Sequence, residues 1–453
     1  MKRRFDFAVN GYRYRMIAVP EPVMPNSKPP SFRSDAIAVL QRLRDAGHEA
    51  YFAGGCVRDE LMGLEPKDFD VATSAAPKVV RALFPKTQAV GQAFGVILVR
   101  HHRSTIEVAT FRTEFDYQDG RRPSRVKFAT AQEDAQRRDF TINGLFLDPV
   151  AGRVIDFVGG QEDIKARRLR AIGIPEDRFA EDHLRLLRAV RFAARFALEI
   201  DPATAQAIRA HAPLLKRISP ERIADELRNM LTGTSRLTAW QLLWDFALID
   251  TICRFLPPAE AAEYDRRRCP FAQLPADDQI SFGLALAAGG LSYRAHTKPV
   301  TADVAHLLDH TEITHSERAF RQALKISNSE LDVMHGALSG AAMMLREELR
   351  PARYKRLAAR ATAADSRRLL EAIAKTGQHQ QRIATVLAEL DKLHGTVVAP
   401  EPLINGDDLQ ELGLEPGPAF RRILDAVYDA QLEDQIADRA AALALAFQLA
   451  RCK

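Results

Sequence analysis

Two short segments of this chain carry the residue types that phosphate chemistry needs. Residues 54–59 read GGCVRD and residues 68–70 read DFD. Paired glycines let a backbone come close to a ligand, and backbone N–H groups beside a guanidinium suit a triphosphate. Side chains alternate along a strand, so Asp68 and Asp70 are expected on one face and Phe69 in a core. Two such carboxylates suit Mg²⁺, which takes hard oxygen ligands.

A third acid, Glu107, stands in a predicted strand in which Ile106 and Val108 point to the opposite face. Three carboxylates near one point would repel one another unless a divalent cation neutralised them. We therefore interpret Asp68, Asp70 and Glu107 as catalytic acids of a two-metal nucleotidyl transfer. One metal would lower the pKa of an attacking hydroxyl, and the other would hold the triphosphate. The alternative is a solvated strand edge, because D-x-D triplets are common.

Residues 137–143, RRDFTIN, offer a second set of polar groups. An arginine here suits phosphates, and the side chains of Asp139 and Asn143 are able to meet ribose hydroxyls. The ordinary alternative is a basic helix start that is capped by Asp139 or Thr141.

Residues 181–192, EDHLRLLRAVRF, predict one helix with Asp182, Arg185 and Arg188 at intervals of three along one side. An Asp beside an Arg presents an acceptor next to a donor fork. Cytosine and adenine each present an amino donor next to a ring acceptor, whereas uracil and guanine reverse that order. The pair would therefore select C and A without a nucleic-acid template, while Arg188 and Arg191 would hold phosphates. The alternative is an exposed face with intrahelical ion pairs.

The elements that must position these groups follow from hydrophobic periodicity. A helix is predicted over 34–45 and another near 77–83. The predicted strands are 50–53, 69–72, 95–100, 105–110 and 126–129. This mixture indicates a small α/β domain that ends near residue 172. The remainder is predicted to be all-helical, with breaks at proline-rich sites and at Gly289-Gly290.

Bulk composition limits the classes of protein that this chain could be. A length of 453 residues predicts two to four domains, and a formal charge of +5 favours a polyanionic partner. Four widely spaced cysteines argue against a zinc site or a disulfide framework and fit the reducing cytoplasm. The basic N-terminus lacks an apolar region for secretion, and no apolar run is long enough for a membrane. We therefore expect a cytoplasmic protein without a membrane partner.

In this order the four motifs resemble those of the class II tRNA nucleotidyltransferase/poly(A) polymerase family, within the polymerase-β-like superfamily. The resemblance covers roughly residues 34–250 and continues more loosely to the end. It implies an α/β nucleotidyltransferase head followed by an all-α neck, body and tail. The expected segments are an N-terminal extension over 1–32, the head over 33–173, the neck over 174–255, the body over 256–396 and a tRNA-contacting tail over 397–453.

The resemblance also implies roles for individual residues. Asp68 and Asp70 would bind the metal, and Asp182 with Arg185 would form an amino-acid template for the base. Taken with the interpretation of the motifs, the expected nucleotide-binding residues are Gly54, Gly55, Arg58, Arg138, Asp139, Asn143, Asp182, Arg185, Arg188 and Arg191.

Two further segments bear on the product. Residues 89–96, AVGQAFGV, look like the CCA-adding branch of the family rather than the poly(A) branch. Residues 112–125 resemble the flexible loop that the family needs to pass from C to A addition, and the alternative is a plain hairpin connection. The predicted function is template-independent addition of CCA to tRNA from CTP and ATP with Mg²⁺. The alternatives are a poly(A) polymerase, a CC-only or A-only enzyme, or an inactive RNA-binding relative.

Overall fold

A computed structural model describes most of the chain, which divides into two compact units. The described residues are 4–9, 12–17, 31–89, 95–102, 104–118, 122–257, 265–276, 278–296 and 303–451. The first unit runs from Met1 to Ile218 and the second from Ser219 to Lys453. Residues 90–94 of the predicted CCA-type segment and 119–121 of the predicted loop lie outside the described residues.

The first unit mixes strands and short helices. Its strands are β1 (Arg4–Val9), β2 (Tyr12–Ile17), β3 (Ala50–Ala53), β4 (Val71–Thr73), β5 (Thr87–Ala89), β6 (Val96–His101), β7 (Ser104–Thr110), β8 (Arg112–Gln118), β9 (Arg122–Phe128), β10 (Leu145–Asp148), β11 (Arg153–Asp156), β12 (Arg168–Leu169) and β13 (Glu199–Ile200). Its helices are α1 (Ser31–Asp45), α2 (Gly55–Leu61), α3 (Pro77–Leu83), α4 (Ala131–Gln136), α5 (Gly160–Lys165), α6 (Pro175–Glu181), α7 (Arg185–Phe196) and α8 (Pro202–His211), with 3₁₀ turns at Thr141–Asn143 and Ala212–Arg217.

Among the described residues, seven strands form one sheet in the order β11-β10-β3-β4-β7-β6-β5. Strands β4 and β7 run parallel in register, with Val71 opposite Val108. Helix α1 packs on the middle of this sheet, and its Leu40 joins Phe52 and both valines in the buried core. Because α1 covers one face of β4 and β7, the ends of these strands are held in fixed positions.

Two separate hairpins accompany the main sheet. Strands β1 and β2 pair antiparallel within the predicted extension 1–32. Strands β8 and β9 pair antiparallel from Arg112 opposite Phe128 to Gln118 opposite Arg122. The described part of the segment that resembles a flexible loop is therefore a two-stranded hairpin.

The predicted strand over residues 69–72 is displaced, which changes how its acids are arranged. Strand β4 begins only at Val71, so Asp68 and Asp70 lie in the extended segment just before it. The expectation that Asp68 and Asp70 share a face of a strand is wrong in that detail. Phe69 is buried as expected and packs on Phe52, with ring centroids 5.2 Å apart. Burial of Phe69 directs the acids on either side of it away from the core.

The predicted single helix over residues 181–192 is also wrong, because it is broken at Asp182. Helix α6 ends at Glu181, and Asp182 adopts an extended backbone with φ −148° and ψ 104°. Its carboxylate oxygen Oδ1 accepts a hydrogen bond from the Leu184 backbone N–H at 3.0 Å. Asp182 thus caps the turn that precedes α7, which begins at Arg185. It does not step along one helical face with Arg185 and Arg188.

The second unit is helical throughout its described elements. These are α9 (Pro220–Leu231), α10 (Arg236–Asp245), α11 (Ile249–Ile252), α12 (Pro270–Gln273), α13 (Phe282–His296), α14 (His310–Leu324), α15 (Asn328–Arg346), α16 (Pro351–Ala358), α17 (Ala363–Lys375), α18 (Gln380–Lys392), α19 (Gly406–Glu411), α20 (Pro418–Leu432) and α21 (Arg439–Arg451). Prolines begin several of them, because a first-turn proline loses no helical hydrogen bond. The predicted fold class, an α/β head followed by a helical remainder, is confirmed.

The predicted break at Gly289-Gly290 is wrong, because α13 runs through both residues. A Cβ on Gly289 would lie 3.1 Å from the Trp240 ring, and one on Gly290 would lie 2.8 Å from the Phe320 ring. These glycines therefore allow aromatic rings to pack closely against the helix, and they do not end it.

Glycine also allows close contact between α15 and α17, and it yields a test of the packing. A Cβ on Gly340 would lie 2.2 Å from the Oγ of Ser366, which is fully buried and donates to the Gly336 carbonyl. We expect Gly340→Ala to lower the free energy of unfolding by about 1–3 kcal/mol through overpacking. Urea denaturation of the full chain measures this change.

The matched control is Gly406→Ala in α19, where a Cβ would meet nothing within 4 Å. It should change the free energy of unfolding by less than about 1 kcal/mol. Equal effects of the two substitutions would contradict the close-packing assignment.

Candidate active site

Three carboxylates meet where β4 and β7 run side by side. Asp70 precedes Val71 and Glu107 precedes Val108, and these two valines are register partners. Burial raises the pKa of Asp70 to about 7, with repulsion from Glu107 and then Asp68 adding to the rise. Burial and then repulsion from Asp68 raise the pKa of Glu107 as well. The three predicted acids are therefore brought together, at a position where their negative charges oppose one another.

The glycine turn lies directly beside a cation. Gly54 has φ +72° and ψ −120°, a conformation that residues with a Cβ rarely adopt. A Cβ there would lie 2.8 Å from Nη1 of Arg138. Arg138 also lowers the pKa of Asp70, which places its positive charge near the acids. The close approach predicted for this turn therefore includes a guanidinium packed against it, while Gly55 begins α2.

Arg138 is held by an acid that the sequence analysis missed. Asp134, whose side chain is 2% exposed, accepts from Arg138 through Oδ2 and from Arg137 through Oδ1. The same Oδ1 accepts from the backbone N–H of Arg112 at 3.2 Å, at the start of β8. Burial alone would raise the pKa of Asp134, but its two arginine partners lower it below the ordinary value. The signal in the sequence was an acid three and four residues before two arginines.

A buried chain of polar groups links α2, the 3₁₀ turn and α7. Arg58, 5% exposed, donates to Asp59 Oδ1 at 2.6 and 2.8 Å and to Asn143 Oδ1 at 2.6 Å. Asn143 donates in turn to Asp139 Oδ1 at 3.0 Å, and Arg188 donates to Asp139 Oδ2 at 2.8 Å. Although burial would raise it, Arg188 and Asn143 lower the pKa of Asp139 to about 2. Four predicted nucleotide-binding residues thus contact one another.

Aromatic rings of α7 cover the same arginines. The Arg58 guanidinium carbon lies 4.4 Å from the centroid of Phe196 and 5.2 Å from that of Phe192. Arg188 and Arg191 lie over Phe192 at 5.1 and 4.3 Å. Cations over ring faces are stabilised by the ring quadrupole, so these rings hold the arginine planes in place.

The predicted base-reading pair is anchored from several sides. Arg185, whose side chain is 10% exposed, donates to the carbonyl of Arg178 at 2.9 Å and to that of Arg137 at 3.3 Å. It also forms a salt bridge with Glu181, an acid that the sequence analysis did not single out. The backbone N–H of Arg185 donates to the carbonyl of Asp182 at 3.0 Å. The guanidinium is therefore fixed before any ligand arrives.

These contacts make one connected arrangement of the predicted residues. The Arg138 guanidinium donates to the Asn143 carbonyl at 3.1 Å, which joins the acid cluster to the buried polar chain. Arg185 also lowers the pKa of Asp139, which joins that chain to the base-reading pair. The three acids, Arg138, the buried polar chain and Arg185 are therefore connected to one another through bonded or electrostatic neighbours.

The chain matches family models along most of its length. The Poly A polymerase head domain matches residues 50–170. A polymerase A RNA-binding segment matches residues 197–259, and a second domain of tRNA nucleotidyltransferases matches residues 296–446.

Whole-chain relatives agree with these domain matches. The CCA-adding enzyme of Lacticaseibacillus paracasei is 36% identical over 88% of this chain and 91% of its own length. That of Geobacillus stearothermophilus is 34% identical over 90% of this chain and 94% of its own. A crystal structure of the Bacillus stearothermophilus CCA-adding enzyme in complex with CTP has 29% identity and a TM-score of 0.70, covering 94% of this chain and 98% of that one. No helix in the described part is both long and apolar enough to span a membrane.

Crowding of the acids predicts an unusual pH dependence of stability. The raised pKa means that folded Asp70 keeps its proton up to about pH 7, whereas an unfolded aspartate loses it near pH 4. The stability from this group is therefore fully present below pH 4 and lost as the pH rises through 7. In EDTA at pH 8, Asp70→Asn should raise the free energy of unfolding by on the order of 2 kcal/mol. The gain should shrink as the pH falls to 5.

Urea denaturation at both pH values measures this effect, with Glu65→Gln as the control for removing an exposed carboxylate nearby in the chain. An Asp70→Asn variant that is less stable than the original chain at pH 8 would show that the carboxylate is favourably held rather than repelled.

Proposed function

Since this chain belongs to the tRNA nucleotidyltransferase/poly(A) polymerase family, we propose that it adds C, C and A in turn to the 3′ end of tRNA. CTP and ATP are the substrates and pyrophosphate is released. The observation that carries this proposal is the acid cluster of Asp68, Asp70 and Glu107 beside Arg138, which is connected through Asn143 and Asp139 to Arg185. Curated CCA-adding enzymes that match nine-tenths of the chain support it.

We assign Mg²⁺ to Asp68 and Asp70, with Glu107 as the third catalytic acid. The donor set fits such an ion, because it offers oxygen ligands only and because burial, with repulsion from Glu107 and Asp68 added, raises the pKa of Asp70 to about 7. When bound, the metal lowers the pKa of the terminal tRNA hydroxyl and neutralises charge on the triphosphate. The protein's own part is to hold the three acids at a fixed spacing.

Arg138 is assigned to the phosphates, since it lies at the Gly54 turn and next to Asp70. Gly54 and Gly55 leave room for the approach of the triphosphate. Arg188 and Arg191, both only partly covered, are assigned as further phosphate contacts.

Arg58, Asp139 and Asn143 are buried and bonded to one another, so we assign them a different task within the nucleotide site. They hold Arg188 and the 3₁₀ turn in position behind the nucleotide. This assignment revises the ribose contacts that the sequence suggests for Asp139 and Asn143. A buried ion pair that loses one member leaves the other charge uncompensated, so Arg58 is required by Asp59 and Asp139 by Arg188.

Base selection is assigned to Asp182 and Arg185. Asp182 supplies an acceptor and Arg185 a donor, the complement of the cytosine and adenine edges. Because Glu181 and two backbone carbonyls hold Arg185, the donor keeps one orientation and rejects uracil and guanine. We further assign the tail helices α19 and α20 to contact with tRNA and place the reaction in the cytoplasm. The buried thiols of Cys56 and Cys253, which form no disulfide, fit that compartment.

The product on a trimmed tRNA tests the proposed function. With a tRNA that lacks its CCA end and Mg²⁺, CTP alone should add two residues and CTP with ATP should complete CCA and stop. Sequencing of the products on a denaturing gel gives the result. The double variant Asp68→Ala, Asp70→Ala should bind tRNA with unchanged affinity yet add nothing. Long A tails, or addition by the double variant, would refute the assignment.

Removal of the acceptor at position 182 should relax base choice. We expect Asp182→Ala to reduce the preference for CTP and ATP over UTP by roughly 10–100-fold, since a bidentate contact is worth about 1–3 kcal/mol. Single-turnover incorporation of each nucleotide measures it. The matched control is Asp177→Ala, an exposed acid on α6. Unchanged discrimination by Asp182→Ala would remove the template assignment.

Loss of the charge at Asp134 should release Arg138, the arginine that we assign to the phosphates. We expect Asp134→Asn to raise the KM for CTP about tenfold, with a smaller effect on kcat, because a hydrogen bond to a charged group is worth about 1.5–3 kcal/mol.

Asp148→Asn is the control for this experiment, because Asp148 is a largely buried acid that pairs with Arg44 instead. Both variants should lose stability in urea, but only Asp134→Asn should change the KM. If Asp134→Asn had the same KM for CTP as the original chain, Asp134 would serve the fold alone.

A further inference from the structure

Two histidines at the tip of the β6–β7 hairpin lie against a buried aspartate of α1. Strand β6 ends at His101 and β7 begins at Ser104, and these two residues are register partners. Asp35 lies near the start of α1 and is 8% exposed, whereas the His102 side chain is 74% exposed. A nearly buried acid therefore meets an exposed imidazole at the surface of the head.

The contacts of this group are short and directional. Asp35 Oδ1 lies 3.0 Å from His102 Nδ1, and the Ser104 hydroxyl donates to Asp35 Oδ2 at 2.5 Å. The His101 and His102 rings lie 4.3 Å apart between centroids. One potential ligand atom from each of Asp35, His101 and His102 falls within 4.8 Å of the other two.

This donor set differs in kind from that of the catalytic acids. Two imidazoles and one carboxylate suit borderline d-block ions such as Zn²⁺, whereas Mg²⁺ prefers oxygen ligands alone. Ligands at 2.0–2.1 Å on a tetrahedral ion lie about 3.3 Å apart. The 3.0 Å separation of Asp35 Oδ1 and His102 Nδ1 is close to that spacing, so an ion could replace the proton between them.

Ser104 supplies the outer contact that such a site needs. Its hydroxyl donates a hydrogen bond to Asp35 Oδ2, while Asp35 Oδ1 faces His102. Hydrogen bonds of this type orient a ligating carboxylate and raise metal affinity.

The group is also separate from the catalytic acids in space. Glu107 pairs with Leu98, whereas Ser104 pairs with His101, three residues further along the hairpin. At roughly 3.4 Å per residue, the two positions are about 10 Å apart along the strand.

We propose that Asp35, His101 and His102 form a second metal site, which takes a Zn²⁺-like ion and fastens α1 to the tip of the β6–β7 hairpin. Three protein ligands leave one position for water, and the ion connects the helix that covers the sheet to the hairpin whose second strand carries Glu107. The site stabilises the head and takes no part in nucleotidyl transfer.

Cobalt titration of the full chain tests this proposal, because tetrahedral Co²⁺ absorbs visible light and substitutes for Zn²⁺. The protein is first stripped with EDTA, dialysed and supplied with excess Mg²⁺ to occupy the acid cluster. We expect one Co²⁺ per chain at micromolar concentration, displaced by Zn²⁺, and a rise in Tm with Zn²⁺. His102→Ala and His101→Ala should each weaken binding at least tenfold, and Ser104→Ala should weaken it by about 10–100-fold.

The matched control is His335→Ala, since His335 is another exposed histidine bonded to one carboxylate, Glu317, at 2.6 Å. It should bind Co²⁺ as the original chain does. Circular dichroism confirms that each variant is folded. Absence of Co²⁺ absorption in the original chain would mean that Asp35 and His102 share a hydrogen bond only. Binding by His102→Ala at unchanged affinity would place the ion elsewhere, and either result overturns the proposal.

Discussion

Mutual repulsion among Asp68, Asp70 and Glu107 is the constraint on which the rest of the head depends. The parallel pairing of β4 and β7 brings the acids together, and burial of Phe69 prevents the segment before β4 from turning them apart. Burial raises the pKa of Asp70, and repulsion from Glu107 and Asp68 adds to the rise. A fold that accepts such a cost needs strong packing elsewhere, and the core beneath α1 supplies it. Groups that a protein holds against their own repulsion are typical of sites built for a ligand.

The arginines near the acid cluster are each bonded to a carboxylate outside the cluster. Arg138 is near Asp70 but is held by Asp134, so it does not collapse onto the acid cluster and neutralise it. Arg58 and Arg188 are likewise bonded to Asp59 and Asp139. Every one of these cations has a protein carboxylate outside the acid cluster as its partner. The arrangement satisfies the buried charges locally.

Sequence reasoning was most successful where chemistry requires particular residue types. The proximity of the three acids, the glycine turn and the α/β head followed by helices could all be inferred, because each motif has few structural meanings. It failed where contacts with residues remote in sequence determine where a helix ends or continues. Nothing local in EDHLRLL reports that Asp182 caps a new turn, since an aspartate is tolerated within a helix as well. Gly289-Gly290 signalled a break, but Trp240 and Phe320, remote in sequence, explain both residues. Asp134 was missed because one of its partners, the Arg112 backbone at the start of β8, is 22 residues away in the sequence.

The position of Asp134 at the root of the β8–β9 hairpin has a consequence for how this protein can vary. One carboxylate serves the backbone of Arg112, the side chain of Arg137 and the side chain of Arg138. An insertion that shifted the root of the hairpin would withdraw one partner and leave the remaining bonds strained around a charge sealed from water. A sequence change at the start of the β8–β9 hairpin is thus coupled to changes at Arg137 and Arg138. Lineages of this head are expected to replace these positions in concert or to keep them.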